Sequence, residues 1–178
     1  MNHRRTTTVI ALAAAGLLLA GCSSSTPKAD GRPATANQGT GTATAEAGTV
    51  DATGAFKAIA ASVKTAKLGS TVTAENDGNH LLGRPNQYTS KITFTDIRIK
   101  ATDTQGLKPG DVSYGGSIET FTNNNDATTR AKYIQTVTKG VPALGEYDYV
   151  HGPHLIRISR LLTPAQAKEY DTAGTKLG

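Results

Sequence analysis

Two histidines near the end of the chain have the spacing that best suits metal chemistry. His151 and His154 flank Gly152-Pro153, and if those two residues form a hairpin turn, both imidazoles lie on one face with Cβ atoms about 5 Å apart. Two imidazole nitrogens can begin a zinc or copper site, but a catalytic zinc site needs three protein ligands and a structural one four. His80 or a carboxylate would have to supply the others. A polar hairpin tip is the competing interpretation.

A second polar stretch contains His80 and Arg84, followed by Tyr88 and Lys91. A guanidinium group can bind a carboxylate or phosphate through two parallel hydrogen bonds, which makes Arg84 a candidate ligand-binding residue with His80 beside it. The same stretch equally suits a turn in which Arg84 pairs with a nearby acid. It therefore predicts either a small-ligand site or a structured loop.

The sequence contains none of the usual signatures of hydrolytic or phosphate chemistry. It has no Gly-x-Ser-x-Gly elbow, no HExxH zinc-binding motif and no glycine-rich phosphate loop, since Gly115-Gly116 falls within a predicted strand. Two carboxylates converging from different elements would escape such a search, so an envelope hydrolase is the least favoured hypothesis. No catalytic residue is predicted.

Cys22 is the one cysteine of the chain, and it follows a segment with the features of an export signal. Arg4 and Arg5 form a positive start, and an uncharged, mostly apolar run occupies residues 9–20. This run is too short to cross the roughly 30 Å of a bilayer core, which needs about 20 apolar residues, so it is typical of a secretory signal. Residues 6–8 lack the hydrophobic follow-up of a twin-arginine signal, which favours the general export route.

The run Leu19-Ala20-Gly21-Cys22 resembles the lipobox of bacterial lipoproteins at every position. The resemblance implies cleavage before Cys22 and a diacylglyceryl thioether on its sulfur, and it leaves an additional N-acyl group, such as palmitate, open. Two acyl chains anchor durably, because each buried CH₂ contributes about 0.8 kcal/mol and one chain holds only marginally. We therefore expect a lipid-anchored protein on the extracytoplasmic face of the cell membrane, without another cofactor. An ordinary signal peptide with an incidental cysteine is the alternative.

Three parts of the chain differ in composition. Residues 1–21 form the predicted signal peptide, and residues 22–50, which lack Leu, Ile, Phe, Tyr and Met, form a predicted disordered linker. Residues 51–178 suffice for a single domain that buries about two thirds of its unfolded surface. Without the two arginines of the signal, the chain has 17 basic and 14 acidic residues, a net charge of +3. These charges are scattered, so we expect no nucleic-acid partner.

Apolar periodicity and capping residues predict three helices. The first is expected over residues 52–67, and the second follows the capping residues 123–126. The third is expected over about residues 164–172, because Thr163 and Gln166 have the spacing of a capping box.

Four strands are predicted between the helices, over residues 91–100, 112–121, 146–151 and 154–159, with bulges near residues 95–96 and at Gly115-Gly116. In the last hairpin, pairing His151 with His154 places tyrosines opposite isoleucines on one face. The same register sets Asp148 opposite Arg157 on the other face, as an exposed ion pair. The order of elements favours an α+β domain, with an antiparallel sheet of about four strands in two hairpins and about three helices mainly on one face.

Three segments of this domain resemble a family of small bacterial lipoproteins, at residues 79–91, 115–119 and 161–170. The resemblance implies one folded domain anchored at the membrane, and it carries over no catalytic residue. The sequence therefore favours a non-catalytic binding or interaction module of the cell envelope, whose partner is a protein or another envelope component. A small-ligand or metal-binding lipoprotein is the alternative.

Overall fold

A computed structural model describes residues 49–178. The predicted signal peptide and nearly all of the predicted linker, Cys22 included, lie outside the described residues. Helices and strands follow in the order α1 (Ala52–Ser62), β1 (Ala66–Thr71), β2 (Ser90–Asp96), β3 (Gly115–Thr120), α2 (Asn124–Lys139), β4 (Glu146–His151), β5 (His154–Ser159) and α3 (Pro164–Gly174). Single 3₁₀ turns occupy Ala101–Thr104, Val112–Tyr114 and Pro142–Leu144. In this part of the chain, no helix is both long and apolar enough to cross a membrane.

The five strands form one antiparallel sheet in the order β1-β2-β3-β5-β4. The predicted α+β class with an antiparallel sheet is confirmed, with five strands instead of about four. The extra strand is β1, whose first two residues fall within the predicted first helix of residues 52–67. That prediction was wrong because α1 ends at Ser62 and residues from Ala66 onward pair with β2. Only Ala66 of β1 is buried, so no apolar alternation marks this strand.

The two predicted bulges are absent from the pairing of β2 with β3, which runs without a break from Ser90↔Thr120 to Thr95↔Gly115. The change of side-chain parity after Thr95 arises because β2 ends at Asp96. The Asp96 carboxylate accepts a hydrogen bond of 2.9 Å from the backbone N–H of Arg98, and Ile97 beyond the strand is 67% exposed. The two glycines of β3 do not form a bulge; they allow the adjacent strands to approach closely.

Two local predictions are confirmed in detail. The β4–β5 hairpin pairs His151 with His154 and Asp148 with Arg157, as the sequence indicates, and Gly152 opens its turn with φ of 54°. The third helix begins with the predicted capping box, in which Thr163 and Gln166 exchange side-chain-to-backbone hydrogen bonds.

Helices cover both faces of the sheet. α1 and α3 pack on one face, over Ile92, Phe94, Ile118, Ile156 and Ile158, where Phe94 stacks on Tyr170 with ring centres 5.4 Å apart. α2 packs on the opposite face, over Leu155, Phe121 and Val150. We call the latter the α2 face. Because strand side chains alternate between faces, the charged residues that alternate with the isoleucines lie beneath α2 and not in solvent.

Candidate binding site

A buried carboxylate with three cationic partners lies at the centre of the α2 face. Glu119 of β3 is fully buried. Its Oε1 accepts hydrogen bonds from Lys91 Nζ at 2.9 Å and Arg157 Nη1 at 3.1 Å, and its Oε2 accepts one from Arg130 Nε at 3.1 Å. Sheet register positions Lys91 directly opposite Glu119, whereas Arg130 reaches down from α2. The helix is therefore joined to the sheet by an ion pair as well as by apolar packing.

The charges of this cluster are those of two carboxylates, Glu119 and Glu146, and of three cationic side chains. Burial by itself would raise the pKa of the Glu119 carboxyl, but its three cationic neighbours outweigh that effect and hold the pKa well below its usual range. Glu146 binds the Arg157 guanidinium through two hydrogen bonds, of 2.7 Å from Nε and 2.9 Å from Nη2. Arg157 is thus held in one orientation by two carboxylates.

Asp148 does not form the exposed ion pair with Arg157 that the sequence predicts. The register is as expected, but α2 covers this face and Arg157 pairs with Glu119 and Glu146 instead. Both carboxylate oxygens of Asp148 are buried and accept no hydrogen bond from the described residues. Burial, and then the neighbouring Glu146 carboxylate, raises the pKa of Asp148 to about 8, so the carboxyl is mainly protonated at neutral pH. A protonated Asp148 can donate to Glu146.

A cleft of about 810 Å³ opens beside this cluster, between α2, the 3₁₀ turn Pro142–Leu144 and the segment that joins β2 to β3. Its lining includes Glu146 and three arginines: Arg130, Arg157 and Arg160. Its large apolar side chains are partly exposed, with Tyr133 at 61%, Leu144 at 58% and Val137 at 49%. Asp103 and Asp111 line it from the segment that joins β2 to β3. The cleft therefore combines an apolar surface with guanidinium groups.

Two of these arginines are held through one nitrogen only. Arg130 donates its Nε–H to Glu119, and its guanidinium carbon lies 5.6 Å from the centre of the Tyr133 ring. Arg160 donates its Nε–H to the carbonyl oxygen of Ala143 at 2.9 Å. Within residues 49–178, the Nη atoms of both arginines have no acceptor. Each side chain is positioned by the protein and keeps donors available to a ligand.

His80 and Arg84, the ligand-binding candidates from the sequence, lie in the loop between β1 and β2, and both are exposed. Asp77 organises this loop, because its carboxylate accepts hydrogen bonds from the backbone of Leu81 and Leu82 and from the Tyr88 hydroxyl. The 810 Å³ cleft is lined by their neighbours Asn79 and Leu81, and not by His80 or Arg84. These contacts favour the structured-loop interpretation.

The structure places His151 and His154, the metal candidates, on the face of the sheet that α3 covers, and gives each a partner of its own. His151 Nε2 lies 2.8 Å from Asp171 Oδ1, and the buried His154 has Nδ1 2.9 Å from Thr120 Oγ1. Burial, and then His151, lowers the pKa of His154, which favours a neutral ring. In the described part of the chain, no three His, Cys, Asp or Glu side chains are grouped to hold a metal. A metal site at this turn stays a prediction.

The sequence does not identify the buried ion-pair cluster, because the pattern of its residues is ambiguous. Lys91, Glu119 and Arg157 alternate with apolar residues along their strands, a pattern typical of a solvent-exposed sheet face. One signal in the sequence could have revealed that these residues are buried: the apolar stripe of α2 must pack against another surface. Only the packing of that helix determines that the charged face is buried.

No protein-family model matches the chain, and neither a curated protein nor a solved structure shows significant similarity to it. The fold and the site define the class of the described part by themselves. It is an antiparallel α+β domain with helices on both sheet faces and an arginine-lined cleft beside a buried ion-pair cluster.

Proposed function

We propose that this protein is a lipid-anchored, extracytoplasmic binding module of the cell envelope, and that the cleft beside α2 is its binding surface. The observation that carries the proposal is the coexistence of partly exposed apolar side chains and positioned guanidinium groups in one cavity. Its volume of about 810 Å³ falls among the roughly 300–1,000 Å³ typical of ligand sites.

The contacts in the cleft and in the ion-pair cluster beside it support binding better than catalysis. The carboxylates of Glu119 and Glu146 are engaged in ion pairs of 2.7–3.1 Å with arginine and lysine. The Ser159 hydroxyl donates to the carbonyl oxygen of Ser113 at 3.0 Å, which is not the partner that would activate a nucleophile. These groups are held in place by their hydrogen bonds, and we propose that they have a structural and not a catalytic role.

The proposed anchor is compatible with an accessible cleft. The lipobox-like run Leu19-Ala20-Gly21-Cys22 supports attachment through Cys22, and residues 22–50 have the composition of the linker predicted from the sequence. A random coil of that many residues would span about 30 Å on average and so hold the folded domain away from the lipid surface. A component of the envelope could then reach the cleft from the aqueous side.

Site-specific photo-crosslinking on intact cells tests this function. A photoreactive amino acid in place of Val137, which lines the cleft, should capture an adduct of defined mass in the anchored protein. The same amino acid in place of Ile97 is the control, because Ile97 is also exposed but lies outside the cleft. Equal capture at both positions, or none at Val137, would contradict the proposal.

A further inference from the structure

We propose that the cleft binds an amphipathic molecule carrying a carboxylate or phosphate group, with the anionic group on Arg130 and Arg160 and the apolar part against Tyr133, Val137 and Leu144. This inference rests on the proposed binding function and names the chemical class of the ligand. A carboxylate and a phosphate present the same pattern of acceptors to a guanidinium group, so they are distinguished by experiment.

Two arginines that line the cleft supply the donors of the proposed anion site. Each is anchored through its Nε–H, Arg130 on the buried Glu119 and Arg160 on the backbone of Ala143. Both line the cleft, and in residues 49–178 no acceptor occupies their Nη atoms. Positioned donors lose less entropy when they bind an anion than mobile ones do, which favours recognition of an anion by these two arginines.

The charges around the cleft determine which end of a ligand lies where. In the cluster beside the cleft, Lys91, Arg130 and Arg157 outnumber the carboxylates of Glu119 and Glu146, and Arg160 adds a further positive charge. The acidic residues Asp103 and Asp111 also line the cleft, from the segment that joins β2 to β3, where each accepts a hydrogen bond from its own segment. Charge complementarity therefore favours an anionic group at the arginines.

The apolar part of the ligand is inferred from the side chains beside the arginines. Tyr133 and Val137 share one side of α2 with Arg130, and Leu144 projects from the 3₁₀ turn next to Ala143. Large apolar side chains that remain half exposed inside a cavity mark a surface that a ligand can cover. Burial of an alkyl or aromatic group there contributes about 25 cal/mol for each Å² removed from water.

Titration with four probes of equal chain length tests the charge requirement. The chain without its predicted signal peptide (residues 1–21) and with Cys22→Ser, which avoids the anchor and detergent, is titrated calorimetrically with decanoate, decyl phosphate, decanol and decyltrimethylammonium below their micellar concentrations. We expect at least one of the two anions to bind about tenfold or more tighter than the alcohol or the cation, as a charged hydrogen bond implies. The stronger anion distinguishes a carboxylate ligand from a phosphate ligand. If decanol or the cation binds as tightly as both anions, the inference is overturned.

Variants of two exposed arginines locate the anion. Arg160→Gln should weaken binding of the preferred anion about tenfold and leave decanol unaffected. Arg84→Gln is the matched control, because Arg84 is exposed and lies outside the cleft. Arg160 is chosen over Arg130 because it lies outside the buried ion-pair cluster, so the variant should fold. An equal loss in Arg84→Gln, or no loss in Arg160→Gln, would overturn the assignment.

The two proposals fail in different ways. A specific adduct at Val137 together with no preference for anions would overturn the ligand class and leave the envelope-binding function intact. Tight, Arg160-dependent binding of an anion without any adduct at Val137 on cells would support the ligand class and contradict the function.

Discussion

Asp148 has an environment that departs from what its residue type suggests. It lies on β4 beneath α2, near Glu146 of its own strand, Arg157 of the adjacent β5 and Glu119 of β3. Burial, and then Glu146, raises its pKa to about 8, whereas an unfolded aspartate titrates near 4. Between these values the folded protein holds a proton that the unfolded chain has released. The free energy of unfolding should therefore fall as the pH rises from about 4 to about 8.

We expect Asp148→Asn to remove most of this pH dependence. An amide keeps the shape of the protonated carboxyl and cannot ionise, so the variant should resemble the parent protein at pH 5 and exceed its stability by a few kcal/mol at pH 8–9, given about 1.4 kcal/mol for each unit of pKa shift. Urea denaturation between pH 5 and pH 9 measures the effect.

The control for this experiment is Asp103→Asn, which replaces an exposed carboxylate of the same domain. Its pH dependence should match that of the parent protein. If the stability of Asp148→Asn changes with pH as that of the parent protein does, Asp148 is not the group that causes the pH dependence.

At the scale of elements, the central strand β3 depends on glycine. A Cβ atom on Gly116 would overlap the carbonyl oxygen of Arg157 on β5 and lie 2.5 Å from Cζ of Phe94 on β2. Gly140, which ends α2 with φ of −82°, has no atom within 4 Å of the corresponding position. One glycine is therefore required for close packing of strands, and the other is replaceable.

Gly116→Ala should lower the free energy of unfolding by about 1–3 kcal/mol or more, because the backbone of β5 must move to admit the methyl group. Gly140→Ala should leave stability unchanged or raise it by up to about 1 kcal/mol, because alanine restricts the unfolded chain in a conformation that it readily adopts. Urea denaturation of both variants makes the comparison. Equal stabilities would contradict the proposed role of Gly116.

At the scale of the whole molecule, the folded domain and the predicted location in the cell concern different parts of the chain. The described domain is stabilised by one apolar cluster on each face of the sheet. The predicted membrane location rests on residues before this domain, where Cys22 and the run ahead of it predict lipidation.

Cys22→Ser should therefore release the protein from membranes or leave it unprocessed, because serine lacks the sulfur that carries the thioether. Cell fractionation and mass spectrometry of the amino terminus measure both outcomes. Ser24→Ala, outside the lipobox, should remain anchored. Membrane-bound, lipid-labelled protein in the Cys22→Ser variant would refute the assignment.

Local interactions account for the parts of the fold that the sequence alone determines. The capping box of α3 joins Thr163 and Gln166, which are three residues apart, and the hairpin register follows from a turn between adjacent strands. Both depend on neighbours along the chain, so residue types and spacing suffice. The α+β class follows in turn from the order of these elements.

Distant contacts account for what only the tertiary structure decides. β1 buries one side chain and is defined by backbone pairing with β2, so its composition does not reveal it. The partners of Glu119 lie 11, 28 and 38 residues away in sequence, and their burial requires α2 to pack on the second sheet face. The same charges would be exposed without that helix. The cleft and its arginines therefore arise from the packing of a helix, because burial depends on what covers a side chain and not on the residue itself.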